Sequence, residues 1–268
     1  MLARAAFFPP VRNMYRFVRR MPGAGRISRS LARRAVPAGT RYWVEVPDGI
    51  DGTYWLSLDP RYELSYAGAR YEPETQTVLR TTLKRGDVFY DVGAHIGFFS
   101  LLAARLVGTG GKVVSLEPDP DNFRQLGEHI ARNGVPQVRA VNAAAWSRAG
   151  SVAFHRAAPR SSGNRGAVTA AGSAADAPEI EVTAVTLDDL ADAHGQPAMI
   201  KIDVEGGEIE VLKGAAGLLA TRRPAVLCEI HSPANWDAFR AALADLPYSI
   251  RPLTGADAVP FHVLAWAR

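Results

Sequence analysis

Short apolar runs that end in an acid recur along this chain, each followed by a turn or a stretch of helix formers. Val88-Phe-Tyr90 runs into Asp91, then Gly93 and Gly97, and 98–107 contains neither Gly nor Pro. That pattern predicts a buried strand, a tight turn and a helix. Residues 112–116 form the next expected strand, ending at Glu117-Pro118-Asp119, and 121–133 a helix stopped by Asn133-Gly134. Residues 138–141 are a third strand, with Asn142 and Ala143 at its carboxyl end. Further strands are expected at 179–185, 198–202 and 225–231, with a capped helix from Thr186 and another from about Glu208.

Ahead of this region, residues 41–46 and 53–58 alternate polar and apolar around Pro47-Asp48-Gly49, which predicts a hairpin. Residues 72–83 read as a helix with acids in its first turn, lying over the entrance of the pocket; Glu72 is a candidate pocket residue or a dipole-matched surface acid. Residues 145–155 look like a second hairpin. The low-complexity stretch 157–178 is expected to be a mobile loop.

The chemistry follows from what stands at the strand ends. The first turn is D-x-G-x-x-x-G rather than the G-x-G-x-x-G that holds a pyrophosphate. A carboxylate at Asp91 would repel a diphosphate and suits a cationic group, such as the ammonium of S-adenosylmethionine. Gly93, Ala94, His95 and Gly97 bring backbone close to a ligand, His95 serving as pocket wall through its main chain. Glu117 lies about twenty residues on, where a ribose-binding carboxylate is expected, with Pro118 beside it. No Arg flanks Glu117 to receive a 2′-phosphate. The cofactor set is therefore Glu72, Asp91, Gly93, Ala94, His95, Gly97, Glu117, Pro118, Asn142, Ala143 and Asp203.

A second acid group closes the pattern. Asp203 and Glu205 precede their helix, so the helix dipole does not account for them, whereas Glu208 and Glu210 are ordinary first-turn acids. Asp203, Glu229 and His231 should converge above adjacent strands. His231, mostly neutral at pH 7 at its ordinary pKa, is the first candidate for general base, with Asp203 and Glu205 as further catalytic candidates. Asp203 with Glu229 is a candidate pair for Mg²⁺. Cys228 reads as a buried core residue.

These residues resemble the FkbM family of S-adenosylmethionine-dependent methyltransferases. The likeness rests on 91–100, Glu117-Pro118, the Thr186-Leu-Asp-Asp-Leu190 box, 200–208, 211–215 and 224–231, spanning about 85–232. It implies an α/β fold of class I: a Rossmann-like sheet of seven strands, the last one antiparallel, which Phe261 to Trp266 would supply. It also implies O-methylation of a hydroxyl on a sugar, glycan or natural product. An N-methyltransferase, or a scaffold protein with a degenerate pocket, is the alternative.

Composition adds a division of charge. Residues 1–41 hold ten Arg and no Asp, Glu or Lys; with 31 basic and 27 acidic residues in all, the remainder has 31 − 10 = 21 basic residues and a net charge of −6. The expected organisation is a basic arm (1–41), a hairpin and helix extension (42–84) and the transfer domain (85–268). The arm is expected to pack on the body, with weak contact to an anionic membrane as the alternative. Nucleic acid is not an expected partner, and a homo-oligomer is left open. No apolar run of eighteen and no signal-peptide core is present, so a cytoplasmic protein is expected, peripheral at the inner membrane face if the arm docks.

Overall fold

Strands buried on both faces have no polar side to alternate with, so they read as continuous apolar runs. Val88–Val92 (β3), Lys112–Leu116 (β4) and Met199–Ile202 (β10) are such strands, and all but their first residues or so are buried. The computed structural model describes residues 36–37, 39–50, 52–67, 71–156, 167–168, 179–253 and 259–268. The basic arm up to residue 35 lies outside them, as does the expected mobile loop 157–178 apart from Ala167–Val168.

The chain is an α/β protein whose main sheet has seven strands in the order β12-β13-β11-β10-β3-β4-β5. Here β5 is Val138–Val141, β11 Ala225–Ile230, β12 Tyr248–Pro252 and β13 Phe261–Ala267. All neighbouring pairs from β11 to β5 are parallel, whereas β13 runs antiparallel to both β11 and β12. The expected reversed final strand is present.

Alternate residues feed two cores. Tyr90, Val92, Val114 and Ile200 point to one face, covered by α4 (Leu187–His194), α5 (Glu208–Lys213), α6 (Ala216–Thr221) and α7 (Pro233–Leu243). Phe89, Val113, Met199 and Leu227 point to the other. There they meet α1 (Pro73–Thr82), α2 (Phe98–Val107) and the hairpin of β1 (Tyr42–Pro47) and β2 (Thr53–Leu58). α3 (Pro120–Asn133) carries His129, which is fully buried and ties three elements together. Its Nε2 accepts from Ser57 N of β2 (2.8 Å) and its Nδ1 lies 2.7 Å from Ile96 O of the glycine turn.

Two expectations change. Residues 145–155 are not a hairpin: Ala144–Ala145 (β6) pairs in parallel with Glu179–Val185 (β9), and Gly150–His155 (β7) pairs antiparallel with the same strand. With Ala167–Val168 (β8) they form a separate sheet, β6-β9-β7-β8. The period-two pattern showed strands there, but the partner lies beyond a long insertion. Glu72 is also not a first-turn acid. It precedes α1 in a left-handed conformation (φ 41°), leaving Glu74 to face the helix N-terminus.

Candidate functional site

The carboxyl ends of β3, β4 and β10 open onto one shared cavity. Gly93 N and Ala94 N both donate to Leu116 O, folding the turn back over the end of β4. Gly93 has φ +77°, and a Cβ there would lie 1.9 Å from the carbonyl oxygen of Asp203. Only glycine permits that approach of two turns. His95 is held left-handed as well (φ 50°), and its N–H donates to Glu117 Oε2 (2.8 Å).

Glu117 is buried at the cavity wall. Its Oε1 accepts from Asp119 N at 2.9 Å and Asn122 Nδ2 at 3.4 Å. Burial pushes its pKa up to about 7 against those hydrogen bonds. Asp119 caps α3 and is gripped by Arg156 through Nε (2.7 Å) and Nη2 (3.1 Å), which ties the second sheet to the cavity rim.

Of the expected cofactor residues, Gly93, Ala94, His95, Glu117, Pro118, Ala143 and Asp203 line the cavity. Asp91, Gly97, Asn142 and Glu72 do not. Asn142 Nδ2 donates to the carbonyls of Glu117 (2.8 Å) and Pro118 (3.1 Å), bracing the wall from outside. Asp91 is buried, accepts from Ser100 Oγ at 2.6 Å, and lies 3.8 Å from Lys201 Nζ. Lys201, which does line the cavity, already supplies the cation that sequence reasoning assigned to a ligand. It also reaches Asp203 (3.2 Å) and sits over the Phe99 ring. Burial opposes its charge, but Asp203, Asp91 and Glu72 outweigh that and raise its pKa. Glu72 faces His262 Nε2 at 3.3 Å. Burial resists its ionisation, yet the bond to His262 and the charge of Lys201 hold its pKa below the ordinary value.

The other end of the cavity is built from side chains. Asp203 and Glu205 line it, Glu205 again in a left-handed conformation (φ 50°) of the kind found at constrained sites. His231, just past β11, places Nε2 3.4 Å from Glu205 and 3.8 Å from Glu229. Its Nδ1 pairs with Glu208 Oε1. Glu208 is fully buried and also accepts from Gly206 N (3.1 Å) and Asn235 Nδ2. The helix dipole is therefore not its main business, which the sequence pattern missed.

This surrounding corrects the reading of His231 as a mostly neutral base. Burial alone would lower its pKa, but the bond to Glu208 and the charges of Glu205, Glu208 and Glu229 raise it above the ordinary histidine range. Glu229 moves the other way from a normal carboxylate: burial and the nearby Asp203 raise its pKa. One ligand atom each from Asp203, Glu205 and His231 lie within 4.8 Å of one another, and Glu229 Oε2 stands 3.8 Å from His231 Nε2.

Trp146 and Phe154 from the second sheet, with Tyr66 and Tyr71 from the segment before α1, complete the walls. None was singled out by spacing. Among the described residues, no helix is long and apolar enough to cross a membrane.

A family model described as the methyltransferase FkbM domain matches residues 91–250. A hexuronic acid methyltransferase, AglP, of Haloferax volcanii is 30% identical over 162 residues, 59% of this chain and 62% of the relative. The chain thus matches less than two thirds of that protein. A structure of a methyltransferase FkbM from Methylobacillus flagellatus KT aligns with TM-score 0.49 and 20% identity, over 67% of this chain and 43% of that one. A SAM-dependent O-methyltransferase from Thermotoga maritima aligns with TM-score 0.47 and 12% identity, over 81% and 75%.

Proposed function

The chain belongs to the FkbM methyltransferase family, and from that premise we propose that it is an S-adenosylmethionine-dependent O-methyltransferase acting on a hydroxyl of a sugar, glycan or natural product. The observation that carries this reading is the single cavity shared by the Gly93–Glu117 end and the Asp203–Glu205 end. The named hexuronic acid relative supports a carbohydrate acceptor.

The donor set fits an adenosyl group. Glu117 offers carboxylate oxygen beside an apolar wall of Ala143, Ala144, Ala145 and Phe154, suited to a ribose next to a flat base. When bound, S-adenosylmethionine would supply a methyl carbon activated by its sulfonium. The chain's own residues then have three tasks. The glycine turn and Glu117 hold the nucleoside; Asp203 and Glu205 align the acceptor hydroxyl, since alignment contributes much of such a rate. The proton released from the hydroxyl passes to the Asp203–Glu229 carboxylates, where burial and mutual repulsion favour protonation of Glu229 near neutral pH. In this reading 85–268 is the transfer domain and 42–84 an extension packed behind the glycine turn.

Calorimetric titration with S-adenosylhomocysteine is the test. Saturable micromolar binding, weakened at least tenfold by Glu117→Gln, is expected, together with methyl transfer to the hydroxyls of uronic-acid glycans. Absence of binding, or affinity indifferent to Glu117→Gln, would overturn the assignment.

A further inference from the structure

We propose that Trp146 is the stacking platform of the acceptor subsite, holding a pyranose by its C–H face while Asp203 and Glu205 take its hydroxyls. What happens to that sugar rests on the methyl-transfer reading; its binding does not.

The chain has five tryptophans, and four of them have a partner over the ring. Arg132 lies over both Trp43 (5.7 Å) and Trp55 (5.0 Å), and Arg251 over Trp266 (5.8 Å). Trp236 packs against Phe239 and Phe261 and lies beneath Arg240. Trp146 has no aromatic ring or cation stacked on it among the described residues, and it is the tryptophan that lines the cavity.

Its position is fixed from both sides. Trp146 N donates to Val185 O of β9 at 2.8 Å. Gly214, just past α5, closes on its main chain: a Cβ there would lie 2.0 Å from Trp146 O. A Cβ on Gly207 would lie 3.2 Å from a carbon of the indole ring, so the ring rests on the turn that carries Glu205. The ring is half-buried, and what the turn leaves uncovered belongs to the cavity.

A pyranose has a face of C–H hydrogens with slight positive charge and a rim of hydroxyls. The negative face of an indole attracts the first, and ionised carboxylates, which only accept, take the second. An aromatic wall beside Asp203 and Glu205 therefore complements both parts of a sugar ring, but only half of an acyclic polyol. A nucleobase would stack on indole too. The seat of Trp146 on the Glu205 turn, rather than beside Glu117, assigns it to the acceptor.

The experiment titrates the full chain, with and without S-adenosylhomocysteine, with methyl β-D-glucuronide and follows saturation transfer by NMR. Saturation should reach H-1, H-3 and H-5, which share one face, more than H-2 and H-4. Trp146→Ala should weaken binding about tenfold and level that pattern, and Trp146→Phe about threefold, the scale of a stacking contact. Gly207→Ala serves where Trp146→Ala fails to fold: its backbone (φ −89°) accepts alanine, and the methyl group displaces the ring without removing it. Sorbitol, with hydroxyls but no ring, should not saturate, and S-adenosylhomocysteine affinity should stay within about twofold in every variant. No saturable glucuronide binding, binding unchanged in folded Trp146→Ala or Gly207→Ala, or loss of S-adenosylhomocysteine affinity in place of the sugar's, would overturn the proposal. Face-selective sugar binding without methyl transfer would support the platform and sink only the reaction assigned above.

Discussion

The two ends of the cavity are built in opposite ways. At the Gly93–Glu117 end the working parts are backbone: N–H groups, left-handed turns, and a carboxylate held by three hydrogen bonds. At the Asp203–His231 end the parts are side chains drawn from β10, the turn before α5, β11 and α7, and balance of charge decides their arrangement. Lys201 joins the two, reaching Asp91 on one side and Asp203 on the other. The first end should therefore fail sterically, and the second electrostatically.

Lys201→Met should have the largest effect. It would leave buried Asp91 and half-buried Asp203 without their cation, which costs about 3–5 kcal/mol. Urea denaturation measures this, and adding Asp91→Asn should restore part of the loss. Destabilisation below about 1 kcal/mol, near the level of an exposed ion pair, would remove the charge-balance account.

Gly93→Ala tests the other mode. Overlap with the Asp203 carbonyl together with the left-handed backbone should cost about 3 kcal/mol. Binding of S-adenosylhomocysteine should fall with it while no charge changes. A variant of wild-type stability would show that the turns can part without penalty.

Acidity separates the ends by a smaller margin. Burial, helped by the charge of Arg41, lowers the His129 pKa from 6.5 to about 4. Between those values the unfolded chain binds a proton that the folded chain refuses. Stability should therefore be full above pH 6.5 and fall by about 2–3 kcal/mol as pH drops to about 4. Denaturation of wild type and His129→Gln across pH 4.5–7.5 would show this slope in the first and its loss in the second. Equal slopes would shift the acid sensitivity to the carboxylate end.

Much of the first end was legible because it is local. Asp91-Val-Gly93 and Glu117-Pro118 sit at the ends of apolar runs, and strand-turn-helix geometry brings such positions to one rim. What escaped was which side of the wall each residue faces. Asp91, Asn142 and Glu72 carry the right chemistry but spend it on Ser100 and Lys201, on two backbone carbonyls, and on His262. At the second end Asp203, Glu205, Glu229 and His231 were recognisable as a group, but Glu208 was taken for a helix-dipole acid. Its contact with His231 spans 23 residues of chain.

The sequence by itself determined the order of most strands and helices, because periodicity and turn chemistry are properties of neighbouring residues, and its motifs carried the family resemblance from which the reversed last strand was expected. Only the tertiary structure decided which carboxylates surround His231, the countercharge of Asp91 and the pairing of β6 and β7 with β9. Those depend on burial and on charges brought together from distant segments, and a pKa or a strand partner has no local signature.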